Sequence, residues 1–426
     1  MSEPVSKHAV LSKNLVNNVE RFDLEIVTGE GVQVQDSEGN WYYDLWGDEA
    51  VGSLGYGKAF NEAAQEFIDA KHPHRLPDMY PNKVRAKAAD MLCTRMGYNK
   101  AFFCNSGAEV NEAAIKIARR YWSKVRNQPE RYWVVTMEGN FHGRTGYALA
   151  LSDSTDSPYH KEGFSPIAPG FGVITEEEVI RAAEGEDVTP RMNLAPFQDN
   201  KTAPRIDWET VASIQMAPIL GNNVVKTYSK RFWEALETLR EAHGFLISYD
   251  EVQVANGRTG YYAAYQSPAI GVKPDLLCVG KGLALGMPAA VLLMSDEVNK
   301  AFVPGVHFST FGATIFVCHL ITKLMAYLDD NLEEVREKEK LIKSYFSTRK
   351  WVQTFDGAGV HWGFKPGSAN FDGFKFSRLA RKHGLLMVTH RQHGIIRFTP
   401  PLAVSREDLQ EIFNRLDATA EEASNP

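Results

Sequence analysis

The chain has 426 residues, 44% hydrophobic and 23% charged, and its 47 basic and 53 acidic side chains give a net charge of -6. That length can bury a large core in two or more domains, and the mild acidity gives no electrostatic reason to expect nucleic acid or an anionic membrane as partner. Four widely spaced cysteines (Cys93, Cys104, Cys278, Cys318) with no CxxC pair argue against a zinc site and fit a reducing compartment; with no visible secretory signal and no apolar run of about 18 residues, a cytoplasmic location is expected.

Residues 1 to about 20 read as a polar arm. Val32–Asp36 alternates, Ser37–Asn40 turns, and Trp41–Trp46 resumes an aromatic strand, which predicts a β-hairpin. Asn61–Ala70 and Asn82–Met96 have helical periodicity. From Ala101 onward short apolar strands alternate with helices: strands at Ala101–Cys104, Tyr132–Met137, Ser213–Ile219, Phe245–Tyr249, Leu276–Gly280 and Ala289–Met294, helices at Ala108–Lys124 and Lys230–His243. This pattern predicts an α/β domain with a mostly parallel central sheet flanked by helices, whose ligands bind beyond the carboxyl ends of the strands. Glu176–Asp207 reads as a long irregular excursion. A helix over Ala313–Leu328 leads to a second, charged one over Leu332–Tyr345, and Ser405–Asp408 opens a final helix. The division expected is an N-terminal arm and part of a small domain (1–60), a large domain (61–325) and a C-terminal small domain (326–426), the small domain being α+β and built from both chain ends.

Four stretches carry polar chemistry at predicted strand ends. Lys281 follows the apolar run Leu276–Gly280 and enters a glycine-rich turn. Desolvation there lowers an amine pKa and makes a Schiff-base nucleophile; taken alone, the residue reads as a solvated loop lysine. Asp250 and Glu251 end another strand, where buried acids are costly unless used, either to meet a cationic ring nitrogen or as a helix cap, and Gln253 could bond a ring hydroxyl. Asn105-Ser106-Gly107-Ala108-Glu109 is a strand-to-helix turn suited to phosphate, or an ordinary cap at Ser106. In Gly139–Gly146, Phe141 could stack on a flat ring. His142 reads as a satisfied loop histidine, and Arg144 as a carboxylate holder or a structural ion pair. Phosphate turn, stacking aromatic, buried acid and lysine are together what pyridoxal phosphate requires, and no histidine cluster suggests a metal.

Asn105–Glu109, Phe141–Thr145, Asp250–Gln253 with Gly257-Arg258-Thr259-Gly260, Lys281-Gly282, Ser309-Thr310-Phe311-Gly312 and Arg397–Leu402 follow one another in an order that resembles the class III (ornithine/ω-amino acid) aminotransferases of pyridoxal-phosphate fold type I. The resemblance covers about Gly29 to the last helix. It implies Lys281 as the Schiff-base lysine and proton shuttle, and Asp250 on the pyridine nitrogen. It implies Gln253 on the ring hydroxyl, Ser106, Gly107 and Ala108 on the phosphate, and Phe141, with His142 beside it, against the ring. Thr310 would reach the phosphate of the neighbouring subunit, which implies a homodimer with shared sites. Arg397 would hold an α-carboxylate and Arg144 a second one. The activity implied is ping-pong transfer of an amino group, as an ω-amine of a diamino acid or related amine, to a 2-oxo acid such as 2-oxoglutarate or pyruvate. Aminomutase, epimerase or decarboxylase chemistry shares Lys281 and Asp250, and a non-catalytic dimeric homologue would share the fold.

Two departures from that pattern bear on the substrate. Ala217-Pro218-Ile219-Leu220-Gly221-Asn222 lacks both glutamates of the usual run. The second of these, which covers the arginine in ornithine and 4-aminobutyrate types, is Asn222, so Arg397 is expected to be free for carboxylate in both half-reactions. In Leu45-Trp46-Gly47-Asp48-Glu49 an acid stands at the expected substrate end of the pocket, beside Trp46. Glu49 could pair with a distal ammonium, repel a carboxylate, or be an exposed loop acid. Tyr56 replaces the usual histidine of a Gly-His pair, and Gly143–Leu151 has some likeness to lysine ε-aminotransferases.

Overall fold

Five strands that run side by side and parallel form the middle of the fold; each is largely apolar, almost wholly buried and covered on both faces. In the computed structural model, which describes residues 14–16, 22–154, 157–164, 166–193, 203–221, 225–367, 372–390 and 394–424, they belong to an eight-stranded sheet. Its order across the sheet is Lys100–Cys104, Ala290–Met294, Leu276–Val279, Leu246–Asp250, Val211–Met216, Trp133–Met137, Phe171–Ile174 and Arg191–Met192. Ala290–Met294 and the edge strand Arg191–Met192 run antiparallel to their neighbours. Val211–Met216, Leu246–Asp250, Leu276–Val279 and Ala290–Met294 are buried at every position. This is the α/β architecture expected, a mixed sheet with mostly parallel strands between helices.

The register matters for chemistry. Ser248 pairs with Leu276, Tyr249 with Leu277 and Asp250 with Cys278. Asp250 therefore closes one strand level with the end of the next, three residues before Lys281. The helices that cover the sheet are capped as their sequences dictate. Gly107–Arg120 starts at Ser106, whose Oγ accepts from the Glu109 amide at 3.2 Å. Lys230–His243 starts at Ser229, whose Oγ accepts from the Phe232 amide at 3.2 Å, and stops at Gly244 with φ 72°.

Of the smaller sheets, one brings the two chain ends together and another is built from the C-terminal part alone. The hairpin Gln33–Asp36 and Trp41–Asp44, with Ile26–Glu30 outside it, is joined in parallel by Leu385–Leu386, which pairs with Tyr43 and Asp44. Val352–Ala358, His361–Pro366 and Ile396–Phe398 make an antiparallel three-stranded sheet.

Two expectations are corrected. The helices placed at Ala313–Leu328 and Leu332–Tyr345 are one 34-residue helix, Ile315–Thr348. Asp329, Asp330 and Asn331 look like a break but lie in mid-helix, where Asp329 holds Arg95 and Tyr262, and Asn331 bonds the Tyr327 carbonyl. The stretch 176–207 is not wholly irregular: Thr175 and Glu178 form a capping box for the helix Glu176–Ala183, and Arg191–Met192 joins the sheet, while 194–202 lies outside the described residues. Ser405 and Asp408 do cap the last helix, Arg406–Ser424, with Ser405 Oγ accepting from the Asp408 amide at 2.9 Å.

Removing the Ser229 hydroxyl leaves one amide of a sheet-covering helix without its acceptor. Ser229→Ala is expected to cost about 1 kcal/mol, read as a lower urea midpoint with an unchanged slope.

Candidate active site

The carboxyl ends of the parallel strands gather the polar residues. Asp250 is buried, and its carboxylate accepts three hydrogen bonds. Oδ2 accepts from His142 Nδ1 at 2.8 Å and Asn111 Nδ2 at 2.8 Å, and Oδ1 accepts from the Val252 amide at 3.1 Å. A single ring proton on His142 Nδ1 serves the carboxylate and leaves Nε2 to accept from Thr136 Oγ1 at 2.8 Å. Asn111 also donates to the His142 carbonyl at 3.0 Å and accepts from Gln215 Nε2 at 2.7 Å. His142 is thus a satisfied histidine, as read, but its position fixes Asp250. Glu251 turns away from this cluster. It is buried and accepts from the Ala264 amide at 2.5 Å and the Tyr265 amide at 2.9 Å, and burial pushes its carboxyl up to about 7.

Lys281 begins a short turn with φ 45°, partly buried. The carbonyl of Gly280 before it accepts from Asn256 Nδ2 at 2.9 Å. Burial pulls the Lys281 amine below its ordinary pKa, and Glu49, 3.8 Å away, acts in the opposite sense. A Cβ on Gly282 would stand 3.0 Å from the Ala50 carbonyl oxygen and from Ser53 Cβ, so the glycine lets the Gly47–Ser53 segment lie on the lysine turn.

That segment is strained. Gly47, Asp48, Glu49 and Ala50 have consecutive φ values of 58°, 49°, 62° and 73°, a single left-handed turn with three non-glycine residues. Such residues cost on the order of 1 kcal/mol each and persist only when surrounding contacts over-determine them. The contacts are present. Asp44 Oδ1 accepts from the amides of Trp46 at 3.0 Å and Gly47 at 2.9 Å, and Tyr56 donates to Asp44 Oδ2 at 2.6 Å. Thr399 Oγ1 donates to the Trp46 carbonyl at 2.8 Å. Buried Arg258 donates to the Pro400 carbonyl at 2.5 Å and to the Ala50 carbonyl at 3.4 Å.

The turn presents Glu49 to Arg397. The two side chains form an ion pair, and Gln253 Nε2 donates to the same Glu49 oxygen at 3.2 Å. Burial opposes ionisation of Glu49, but Arg397 and Lys281 outweigh it and hold the carboxyl at about 2. Two readings are therefore corrected. Glu49 is no exposed loop acid, and Arg397, itself buried, is not free: a carboxylate from a different element already faces it. Asn222 lies outside the described residues.

The other candidates fall around this centre. Ser106 caps its helix with Gly107 and Ala108 in the first turn, and a Cβ on Gly107 would meet Val252 Cγ1 at 2.9 Å, which keeps that turn close to the Asp250 strand end. Phe141 has the Arg144 guanidinium 5.8 Å from its ring centre and the His160 ring 6.1 Å away. Arg144 is exposed, 3.4 Å from His160 Nε2. Thr310 is exposed, but its neighbour Ser309 accepts from Asn105 Nδ2 at 2.8 Å, which ties that loop to the Ser106 turn. Sequence reasoning missed Asn111, Thr136, Gln215 and Asn256, and it named Arg258 within a motif without giving it a role. The available signal was a polar residue on an apolar face or run, as Asn111 is among the buried Val110, Ala114 and Ala118 of its helix, and Gln215 between Ile214 and Met216.

A model of the family described as "Aminotransferase class-III" matches residues 15–419. The acetylornithine aminotransferase of Methanopyrus kandleri is 32% identical over 414 residues, 96% of this chain and 97% of that one. That of Caldanaerobacter subterraneus subsp. tengcongensis is 31% identical over 421 residues, 95% and 96% of the two chains. Among solved structures, the ornithine aminotransferase of Toxoplasma gondii ME49 superposes with a TM-score of 0.84 at 23% identity, covering 97% of this chain and 94% of that one, a likeness of fold. The chain belongs to the class III aminotransferases. It is an enzyme of amino-group transfer on the fold-type I scaffold.

Asn111→Leu removes the amide that ties the Gly107 carbonyl, the His142 carbonyl and Asp250 together at 2.9, 3.0 and 2.8 Å. The expected loss is about 1–3 kcal/mol of stability in urea titration, since the buried Asp250 loses a donor.

Proposed function

We propose that this enzyme binds pyridoxal 5'-phosphate and moves an amino group, the ω-amine of a diamino acid or a related amine, to a 2-oxo acid such as 2-oxoglutarate or pyruvate in a ping-pong reaction. The observation that carries the reading is the meeting of Asp250, Lys281, Gln253, Glu49 and Arg397 beyond the carboxyl ends of the central parallel strands. The residues fit the cofactor. A buried carboxylate with three donors suits a cationic pyridine nitrogen, a helix start with open amides suits a phosphate, and a desolvated amine suits an aldehyde. When bound, pyridoxal phosphate supplies the aldehyde that takes up the amine and a ring that accepts the electrons freed as a proton leaves the substrate carbon.

In this reading Ser106, Gly107 and Ala108 hold the phosphate, Phe141 covers the ring, His142 orients Asp250, and Gln253 meets the ring hydroxyl. Lys281 Nζ takes the proton from the substrate carbon and returns it on the other side of the reaction. Thr310 serves the phosphate of a second copy. Phe308 and Phe311 flank it with 65% and 62% of their surface exposed, which suits burial in a homodimer. Among the described residues no helix is long and apolar enough to cross a membrane, and the four cysteines are free, which supports the cytoplasm as the working compartment.

Glu49 divides the two half-reactions. With Glu49 on Arg397, the charges beside Lys281 cancel, and an amine enters without a free guanidinium to misplace its carboxylate. Arg144, exposed beside Phe141, is then the cation available to a distal carboxylate of the donor. A 2-oxo acid displaces Glu49 from Arg397, and the strained Gly47–Ala50 turn lowers the cost of letting it go.

Lys281→Ala is expected to retain cofactor, seen as bound absorbance after dialysis, and to lose turnover with every donor and 2-oxo acid of a panel; full activity would refute the assignment. Glu49→Gln leaves Arg397 unmasked. The KM for 2-oxoglutarate should fall about ten-fold, because no population is sequestered by the internal acid, and an unchanged KM would remove Glu49 from this role.

A further inference from the structure

The strands His361–Pro366 and Ile396–Phe398 pair with Trp362 opposite Phe398, Gly363 opposite Arg397 and Phe364 opposite Ile396. Side chains alternate along each strand. Trp362, Phe364 and Phe398 therefore share one face, where they pack on Phe346 with ring centres 6.5, 4.9 and 5.6 Å away. His361, Gly363 and Arg397 share the other, and the next residue on that face, Thr399, reaches the Trp46 carbonyl. Gly363 has no side chain to set against Arg397. The side chains diagonal to the guanidinium on that strand are His361 and Lys365; Lys365 is exposed, and His361 is the buried one, within the reach of a long residue.

His361 is fully buried, and among the described residues neither of its ring nitrogens has a hydrogen-bond partner. A buried N–H without an acceptor is a defect that a folded chain keeps only for cause. Its Nε2 lies 3.3 Å from the point a Cβ on Gly221 would occupy, and Gln253 Oε1 is 1.8 Å from that same point. The bare Gly221 thus lets the imidazole and the Gln253 amide approach each other, and Gln253 is the group that bonds Glu49. Burial, with Arg258, Arg397 and Lys281 around it, pushes the imidazole down to about 3, so it is an uncharged ring with one N–H to give. Three neighbouring cations against the single carboxylate of Glu49 leave the surroundings net positive, which disfavours a cationic ligand there and favours an anionic oxygen.

We propose that His361 is a substrate-binding residue whose neutral imidazole donates to the second oxygen of the carboxylate that Arg397 takes from the 2-oxo acid. The inference rests on the reading of Arg397 as a carboxylate site. Glu49 meets the guanidinium without satisfying His361, whereas an incoming carboxylate would satisfy both, so the imidazole favours the substrate over the internal acid.

The test is calorimetric binding of glutarate, which has both carboxylates of 2-oxoglutarate and no carbonyl, to the holoenzyme. His361→Phe and His361→Leu should weaken glutarate about ten-fold or more, and His361→Gln, which keeps an N–H, should stay within about three-fold of the parent. The KM for 2-oxoglutarate should rise in step, with kcat changing by less than about two-fold. Circular dichroism and bound-cofactor absorbance establish which variants fold, and the Leu-to-Gln comparison carries the test if the phenyl ring is not accommodated. Parent enzyme that binds glutarate with the same affinity as His361→Leu overturns this inference alone. Parent enzyme that turns over a 2-oxo acid yet binds no glutarate overturns the carboxylate reading of Arg397 and this inference with it.

Discussion

Charge taken out of water must be answered by charge or by donors, and the middle of this protein is arranged around that constraint. Asp250 is answered by His142, Asn111 and a backbone amide, Arg397 by Glu49, and buried Arg258 by the carbonyls of Pro400 and Ala50. Lys281 is answered least: among the described residues the carboxylate paired with it, Glu49 at 3.8 Å, is shared with Arg397. The amine is left as the group whose charge is cheapest to lose. The sheet makes the arrangement possible, since parallel pairing of Leu246–Asp250 with Leu276–Val279 delivers acid and amine to the same carboxyl end.

Much of this was readable in the residues. Strands buried on both faces are largely apolar, so four of the five at the sheet's centre, Trp133–Met137, Val211–Met216, Leu246–Asp250 and Leu276–Val279, stood out, as did Lys230–His243, bounded by Ser229 and Gly244, whereas Phe171–Ile174 was not recognised. Lys281 and Asp250 were conspicuous because a charge at the end of an apolar run has few explanations. What could not be read depends on distance in the chain. Asp329-Asp330-Asn331 looks like a helix break until Arg95 and Tyr262 are seen to hold Asp329. Glu49 looks like a loop acid because nothing near it in sequence reveals a left-handed turn, and three non-glycine residues with positive φ contradict every local preference. Local rules failed where the surroundings impose strain, which is where function is expected to lie.

The strain and the ion pair depend on each other. Asp44, Tyr56, Thr399 and Arg258 clamp the two ends of the turn at Gly47–Ala50, so that its conformation is set by buried hydrogen bonds and not by its own residues. Tyr56, which departs from the family's usual histidine, acquires a reason in this clamp. A carboxylate delivered by a clamped but strained turn can yield to a competitor more readily than one fixed on a regular helix or strand, where release would cost a hydrogen-bonded ladder.

The parallel pairing of Leu385–Leu386 with Tyr43–Asp44 has a consequence for the order in which the protein acquires its abilities. Ser106, Asp250 and Lys281 all come from the middle of the chain, whereas the wall formed by Glu49, His361 and Arg397 draws on both ends. During synthesis the central sheet can form while the hairpin that bears Glu49, made first, waits for a partner strand that is among the last to leave the ribosome. Long-range pairing of this kind is slow and comes late. A nascent chain would thus present the groups proposed for the cofactor before it can choose among substrates, and selectivity would be the last property to mature.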